Sequence, residues 1–380
     1  MYVADEYRDL AETALRFSKD RLLPHYQARE AEERYDRALM REMGELGLIG
    51  PELPEEYGGL GLTNVASGIV TEAIAYGDFN VAYVQSSASL LGQVLARSAE
   101  KALAAEWIPK IVRGEVILGV GLTEPSAGSD AARVKLKAVR RGDHYVLSGE
   151  KTSISSADQA DGFVIFARSG TVEEGARGVT AFFVPGDAKG LTRTRFNDLG
   201  SKIVGRGSLF FDDVEVPLEH RVGGEGKGFY EVMSGFDFNR AVIGLMCCGA
   251  AQASIDETWR YAQQRETFGV KLAQHQGVTF PIAEHEALIA ASRQLCYHTL
   301  WLRDQNRAHT VEAAMVKWLA PKSAFDAIRQ CLLTHGHYGW SLDLPHQQRM
   351  RDVMGLEIGD GTAQIMKLII AREAIKRISA

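Results

Sequence analysis

The chain has 380 residues, 46% of them hydrophobic, which is enough for large buried cores divided among two or three domains. Its formal charge of -6 and pI near 6.0 argue against the concentrated basic surface that nucleic acid requires, and no apolar run approaches the length of a membrane span. The four cysteines, Cys247, Cys248, Cys296 and Cys331, lie in apolar helical segments without metal-ligand spacing, as reduced core thiols of a cytoplasmic protein do.

Residues 1–115 read as an N-terminal α-helical domain. The acidic start, MYVADEYRDL, is already helical in pattern and resembles neither a signal nor a transit peptide. Apolar positions recur at helical spacing through Leu10, Ala14 and Phe17, and again through Leu39, Met43 and Leu46, with the PELPEEYGGLGLT turn (51–63) as a break. Residues 116–225 change texture. VILGVGL, HYVLSG, GFVIFARS, VTAFFVP and GSLFFDDVEVP are short β-branched and aromatic runs punctuated by Gly, Asp and Pro, which predicts an antiparallel β-domain. Residues 226–380 return to longer helices with Ala- and Leu-rich faces, giving an α+β chain of three blocks. No G-x-G-x-x-G follows a strand, so a Rossmann cofactor fold has no support.

Three segments carry candidate chemistry. The first β run ends in Leu122-Thr123-Glu124-Pro125-Ser126-Ala127-Gly128-Ser129-Asp130, where Gly128 lets backbone approach a flat or phosphorylated ligand and the hydroxyls of Thr123 and Ser129 suit its oxygens. The same residues also make an ordinary loop closed by Asp130. Further on, Arg265-Glu266-Thr267-Phe268-Gly269-Val270 precedes His275-Gln276. It reads either as a glycine-capped helix end or as an arginine for pyrophosphate beside an apolar shelf, Phe268, for a nucleotide. Last, Gly359-Asp360-Gly361 opens an apolar helix. Asp360 there is either the helix N-cap or a carboxylate aimed at a buried ligand.

In this order and spacing, together with EYGGLGLT, LGSKIVGRGSLFFDDVEVP, GGEGKGF (223–229), RMRDV and GDGTAQ, the motifs make the chain similar to the acyl-CoA dehydrogenase family from end to end. The resemblance implies a C-terminal four-helix bundle, FAD between it and the β-domain, an acyl-CoA substrate, an electron-transferring flavoprotein as acceptor, and a homotetramer. By position, Leu122 and Thr123 would hold the flavin pyrimidine edge, Ser129 the pyrophosphate region, and Ser155 would sit beside the ring. Arg265, Thr267, Phe268, His275 and Gln276 would reach FAD across a subunit interface, with Thr362 and Gln364 contacting it from the GDGTAQ turn. Asp237, Arg240 and Arg372 would line the acyl-CoA side. Asp360 matches the family's catalytic glutamate, so it would take the α-proton while a β-hydride goes to flavin N5, its own N–H helping to hold the thioester oxygen.

Several positions depart from the family pattern. Aspartate stands for glutamate at 360, Gly359 for a tyrosine, and Ser153 for an aromatic residue covering the flavin. Together Gly359 and the shorter Asp360 open space around the α-carbon, flanked by Gly361, and point to an alicyclic substrate such as cyclohexane-1-carboxyl-CoA. A linear short-chain substrate and a nitroalkane-oxidase-like reaction with O2 are the alternatives. Leu333, and the turn at Gly336, replace a glutamine and paired glycines at an FAD contact, while His335 and His337 lack further ligands for a metal. Asn239 occupies the position where some branches carry their base, and an amide cannot serve as one.

Overall fold

The computed structural model describes residues 5–379, so the first four residues of the MYVADEYRDL start lie outside it. The N-terminal region is helical: α1 (Arg8–Phe17), α2 (Tyr26–Glu32), α3 (Arg37–Glu45), α4 (Asn64–Gly77), α5 (Phe79–Ser98) and α6 (Lys101–Val112). Side chains set the starts of three of them. Asp36 accepts from the N–H groups of Ala38 and Leu39, Thr63 from Ala66, and Asp78 from Asn80 and Val81, satisfying donors that a helix leaves open. Helices α4 and α5 are buried along nearly their whole length.

An eight-stranded sheet follows among the described residues: β1 (Leu118–Gly121), β2 (Lys137–Arg141), β3 (His144–Ile154), β4 (Gly162–Arg168), β5 (Val179–Pro185), β6 (Leu191–Arg193), β7 (Gly207–Pro217) and β8 (Arg221–Val222). The order is β6-β7-β3-β2-β4-β5-β8, and β1 also pairs with β4. The expectation of a purely antiparallel domain is corrected here. β1 and β2 both run parallel to β4, because the chain passes through the β2–β3 hairpin before β4 comes to lie beside β1; the other pairings are antiparallel. β4 is buried at every position, since it is covered on both faces. Val164 and Phe166 pack with the helical core, whereas the alternate residues Phe163, Ile165 and Ala167 fill the β-domain's own core.

The C-terminal region holds α7 (Gly228–Gln264), a small hairpin of β9 (Glu266–Thr267) and β10 (Val270–Lys271), α8 (Gln276–Asp304), α9 (Thr310–Thr334), α10 (His346–Met354) and α11 (Ala363–Ser379). Helix α9 packs on α7, α8 and α11, and α7 also packs on α4 and α5, so the two helical regions share one core. All four cysteines are buried and unpaired. No helix among the described residues is long and apolar enough to cross a membrane.

One buried carboxylate joins the regions. Asp352 of α10 accepts from the Tyr26 hydroxyl (2.5 Å) and the Asn80 amide (2.9 Å), and from the backbone N–H of Ser201 in the β-domain (2.5 Å). Beside it, Arg351 bonds Glu30 and the carbonyl of Leu199. Burial raises the Asp352 carboxyl to about 7. Its folded-state pKa therefore lies above the unfolded one, and its stabilising effect is full at low pH and fades as pH rises toward 7. Asp352→Ala leaves three buried donors unmatched and is expected to cost on the order of 3 kcal/mol. In denaturant titrations the deficit of the variant against wild type should be larger at pH 5 than at pH 8.

Candidate active site

Asp360 lies in the connection between α10 and α11, in the left-handed region at φ +52, followed by Gly361 at φ +102. Gly361 is favoured by its φ, which disfavours an L side chain; the nearest atom to a Cβ there, Met366 Cε at 2.5 Å, is the end of a flexible side chain that can move aside. Gly359 differs. Its φ is not positive, and a Cβ would meet nothing nearer than 3.6 Å, so the turn itself does not demand glycine at this place. Nor is Asp360 the helix cap. Thr362 does that work, its hydroxyl accepting from Ile365 N–H at 3.4 Å and its carbonyl from Met366 N–H at 3.0 Å. The Asp360 side chain is thus left free to serve something else.

Its surroundings are partly apolar and partly cationic. Asn239 of α7 donates to Asp360 Oδ2 at 2.5 Å. Arg240, almost fully buried, pairs with Asp237 (2.7 Å), and Asp237 also accepts from the Thr310 hydroxyl. Lys317 lies beneath the turn. Asp360 retains a little accessible surface, but enclosure by protein raises its carboxyl above the usual range, against the pull of Lys317, Arg240 and the Asn239 amide. The side-chain oxygen of Asn239 and Nε of Arg240 are buried and have no partner among the described residues. The backbone N–H of Asp360 likewise has no acceptor among the described residues.

The β-domain faces the same space. Tyr83 of α5 shares a 2.8 Å hydrogen bond with Ser155 at the end of β3, and its phenol, raised to about 12 first by burial, also feels the charge of Asp360. Ser153, at φ +59, lies 3.5 Å from Arg206, which pairs with Asp198. The Leu122–Asp130 loop is anchored from behind. Thr152 N–H donates to Thr123 O (2.9 Å), and fully buried Lys151 bonds Leu122 O (3.0 Å) and Glu124 (2.7 Å), which also accepts from Lys135 and Leu136 N–H groups. Burial lowers Lys151 to about 8, with Glu124 opposing the shift. Gly128 and Ser129 are exposed, and nothing stands within 4 Å of a Cβ built on Gly128.

Tyr83 thus links the two halves of the site: it bonds Ser155 and feels the charges of Asp360 and of Arg206, which reaches Ser153. Other expected residues are not gathered there. Arg265, Thr267, Phe268, His275 and Gln276 form a projecting corner after α7. Phe268 is 95% exposed at φ +54, its ring edge-on to His275, and His275 reaches Thr267 O at 3.4 Å. Leu333, Gly336 and Gln364 are exposed, and Arg372 sits farther along α11 beside Glu373. His335 is a core residue, stacked on Tyr261 and hydrogen-bonded to Cys331 O, while His337 is exposed. Among the described residues no group of three His, Cys, Asp or Glu could hold a metal ion. Sequence reasoning missed Tyr83, Lys151 and Lys317. For Tyr83 and Lys317 the available signal was a tyrosine or lysine within an apolar run; Lys151, in SGEKTS, offered none.

A raised carboxyl facing a β-domain loop across a helical bundle is an arrangement suited to proton abstraction beside a flat cofactor. The donor-rich loop, the open approach at Gly128 and the unpartnered polar atoms around Asp360 fit FAD. Residues 4–115, 119–214 and 226–375 match the N-terminal, middle and C-terminal domains of acyl-CoA dehydrogenase. The chain is 33% identical to benzylmalonyl-CoA dehydrogenase of Aromatoleum aromaticum over 374 residues, 98% of each. Butyryl-CoA dehydrogenase from Megasphaera elsdenii has a similar structure, with TM-score 0.94 and 28% identity over 99% of both chains. A chain solved in work on the electron transferring flavoprotein of Acidaminococcus fermentans has TM-score 0.95 and 29% identity, over 98% of this chain and 99% of that one. This protein belongs to the acyl-CoA dehydrogenase family. It is an FAD-dependent oxidoreductase acting on a CH–CH bond of an acyl-CoA.

The Lys151–Glu124 pair gives a direct test of the loop. Lys151→Met leaves a buried carboxylate without its cation, at a cost of about 3–5 kcal/mol. The variant should unfold at lower denaturant and lose FAD on gel filtration under conditions where wild type retains it.

Proposed function

We propose that the enzyme removes the α-proton and β-hydride of an acyl-CoA whose α-carbon belongs to a ring, with Asp360 as the base. The observation that carries the ring reading is Gly359. Its φ is not positive and a Cβ would meet nothing nearer than 3.6 Å, so glycine there leaves space rather than relieving strain. Aspartate in place of glutamate withdraws the carboxylate by roughly 1.5 Å more, one C–C bond. A linear chain needs little room at the α-carbon, and a ring needs much. The Aromatoleum relative, by its name, acts on a thioester that also carries a ring.

In this reading, Asp360 takes the α-proton, and its enclosure makes the carboxylate a stronger base than one in water. The free N–H of Asp360 faces the developing charge on the thioester oxygen. FAD, when bound, supplies the two-electron acceptor for the β-hydride, leaving a 2-enoyl thioester. Leu122, Thr123, Ser129, Ser153, Ser155 and Thr362 hold the cofactor, and the Asp237–Arg240 pair lies along the acyl-CoA, whereas Gln364 and Arg372 lie away from this space. The exposed Arg265–Gln276 corner, with Phe268 almost wholly exposed in one subunit, fits a homotetramer in which it covers a neighbour's FAD. The likeness to a chain solved in work on the Acidaminococcus electron transferring flavoprotein supports such a flavoprotein as acceptor.

Asp360→Asn is expected to keep the yellow FAD complex and to slow anaerobic, substrate-dependent bleaching by about three or more orders of magnitude. Bleaching at the wild-type rate would remove Asp360 as the base.

Gly359→Tyr tests the ring. It should lower kcat/KM for cyclohexane-1-carboxyl-CoA relative to butyryl-CoA by about tenfold to a hundredfold, because overpacking a bound ligand costs about 1–3 kcal/mol. A wild-type preference for butyryl-CoA, or an unchanged ratio in the variant, would retire the alicyclic substrate and leave the dehydrogenase.

A further inference from the structure

We propose that Lys317 is a positioning residue for α-proton abstraction: its ammonium fastens both sides of the turn that carries Asp360 and sets a fixed positive charge beneath the carboxylate. The inference rests on Asp360 being the base.

Lys317 projects from α9 and is 1% exposed. Its Nζ donates to the carbonyl of Leu356 at 2.6 Å and to that of Gly361 at 3.2 Å. One carbonyl precedes Asp360 in the chain and the other follows it. The turn's own bonds, from Ile358 and Gly359 N–H to Gly355 O, brace only its first half. The second half contains two successive residues at positive φ, Asp360 and Gly361, a conformation that aspartate tolerates better than most residues but that no hydrogen bond of the turn itself braces. Lys317 is the side chain that crosses from the bundle to both halves. An ammonium is costly to bury, so its position among apolar bundle residues needs compensation, which the two carbonyls and Asp360 supply.

The groups facing this pair come from three directions. Helix α7 presents Arg240, Asn239 and Cys247, α5 presents Tyr83, and the turn itself presents Glu357. Burial raises the Asp360 carboxyl, and Lys317 opposes this more than Arg240 or the Asn239 hydrogen bond does. Burial lowers the Lys317 ammonium, and Asp360 is foremost in holding it up. Taking away the cation therefore raises the Asp360 pKa further. A base that must be ionised to act then works only at higher pH.

The test measures anaerobic flavin reduction by stopped flow as a function of pH, with cyclohexane-1-carboxyl-CoA and butyryl-CoA, in Lys317→Met, Lys317→Gln, Lys317→Arg and Asp360→Asn. In Lys317→Met the reduction rate should fall about tenfold to a hundredfold while the thioester's dissociation constant stays within about threefold, the pattern of a displaced base. The acid limb of the rate should move up by roughly half a pH unit or more, and Lys317→Arg should restore its position. A merely structural role would reduce FAD content without moving the limb of the molecules that retain it. Should Lys317→Met fail to fold, Lys317→Gln, which keeps a donor and lacks the charge, is expected to show the shifted limb. Wild-type rate and an unmoved limb in the folded variant overturn the proposal. If Asp360→Asn is inactive in the same series, the base assignment stands despite that result; if Asp360→Asn reduces flavin normally, the base assignment falls first.

Discussion

Three structural regions meet at one buried carboxylate, and the geometry of the active site depends on that meeting. Asp352 takes hydrogen bonds from α2, from the start of α5 and from the loop that carries Ser201. A carboxylate can accept several donors at once, and an amide or hydroxyl of similar size cannot satisfy the same set. The active site uses residues from the same three regions: Tyr83 from α5, Ser155 from the sheet and Asp360 from the turn before α11. A small rotation of one region would separate them. Asp352 is eight residues before Asp360 in the chain, so the joint between regions and the proposed base lie on one short segment.

Around the site, buried ions hold loops that have no regular secondary structure to hold them. Lys151 and Glu124 fix the loop after β1, through Leu122 O on one side and the Lys135 and Leu136 N–H groups on the other. Lys317 ties the turn around Asp360 in a similar way. Backbone carbonyls and amides at loop ends need partners when water is excluded, and a lysine or glutamate can reach several from one position. The loops can then be irregular enough to approach a cofactor and still have one conformation. Around Asp360 the same burial serves two ends, because it strengthens the carboxylate as a base and strengthens the hold of the cations near it.

Much of this was legible in the sequence. Periodicity distinguishes the helical blocks from the sheet, and Gly359-Asp360-Gly361 stands out as a carboxylate in a turn before an apolar helix. The parallel pairing of β1 and β2 with β4 was not legible, since strand composition says nothing about which strands become neighbours across an intervening hairpin. The local sequence allowed both readings of Asp360, cap or ligand-facing carboxylate, the cap being the commoner, and it was the family resemblance that favoured the carboxylate. The structure separates them by giving the cap to Thr362, two residues on, through hydrogen bonds that depend on where α11 begins. The sequence placed His335 and His337 side by side as imidazoles without a metal site, and only the structure separates them, His335 being buried against Tyr261 of α7 and His337 exposed.

The sequence by itself determined the elements, the family and the chemically capable residue types, because these follow from local patterning and from motifs along one strand of text. The tertiary structure alone decided which charges share an environment. Lys317 and Asp360 are 43 positions apart, and Lys151 and Glu124 are 27 apart, and no spacing rule joins either pair. Lys151 meets Glu124 at 2.7 Å, and Lys317 reaches the carbonyls on either side of Asp360 at 2.6 and 3.2 Å, contacts that exist only once α9 is packed beneath the turn and β3 beneath the loop. Gly359 shows the same division. The sequence supplies the glycine, and only the backbone angle at that position reveals that the turn would have accepted a larger residue.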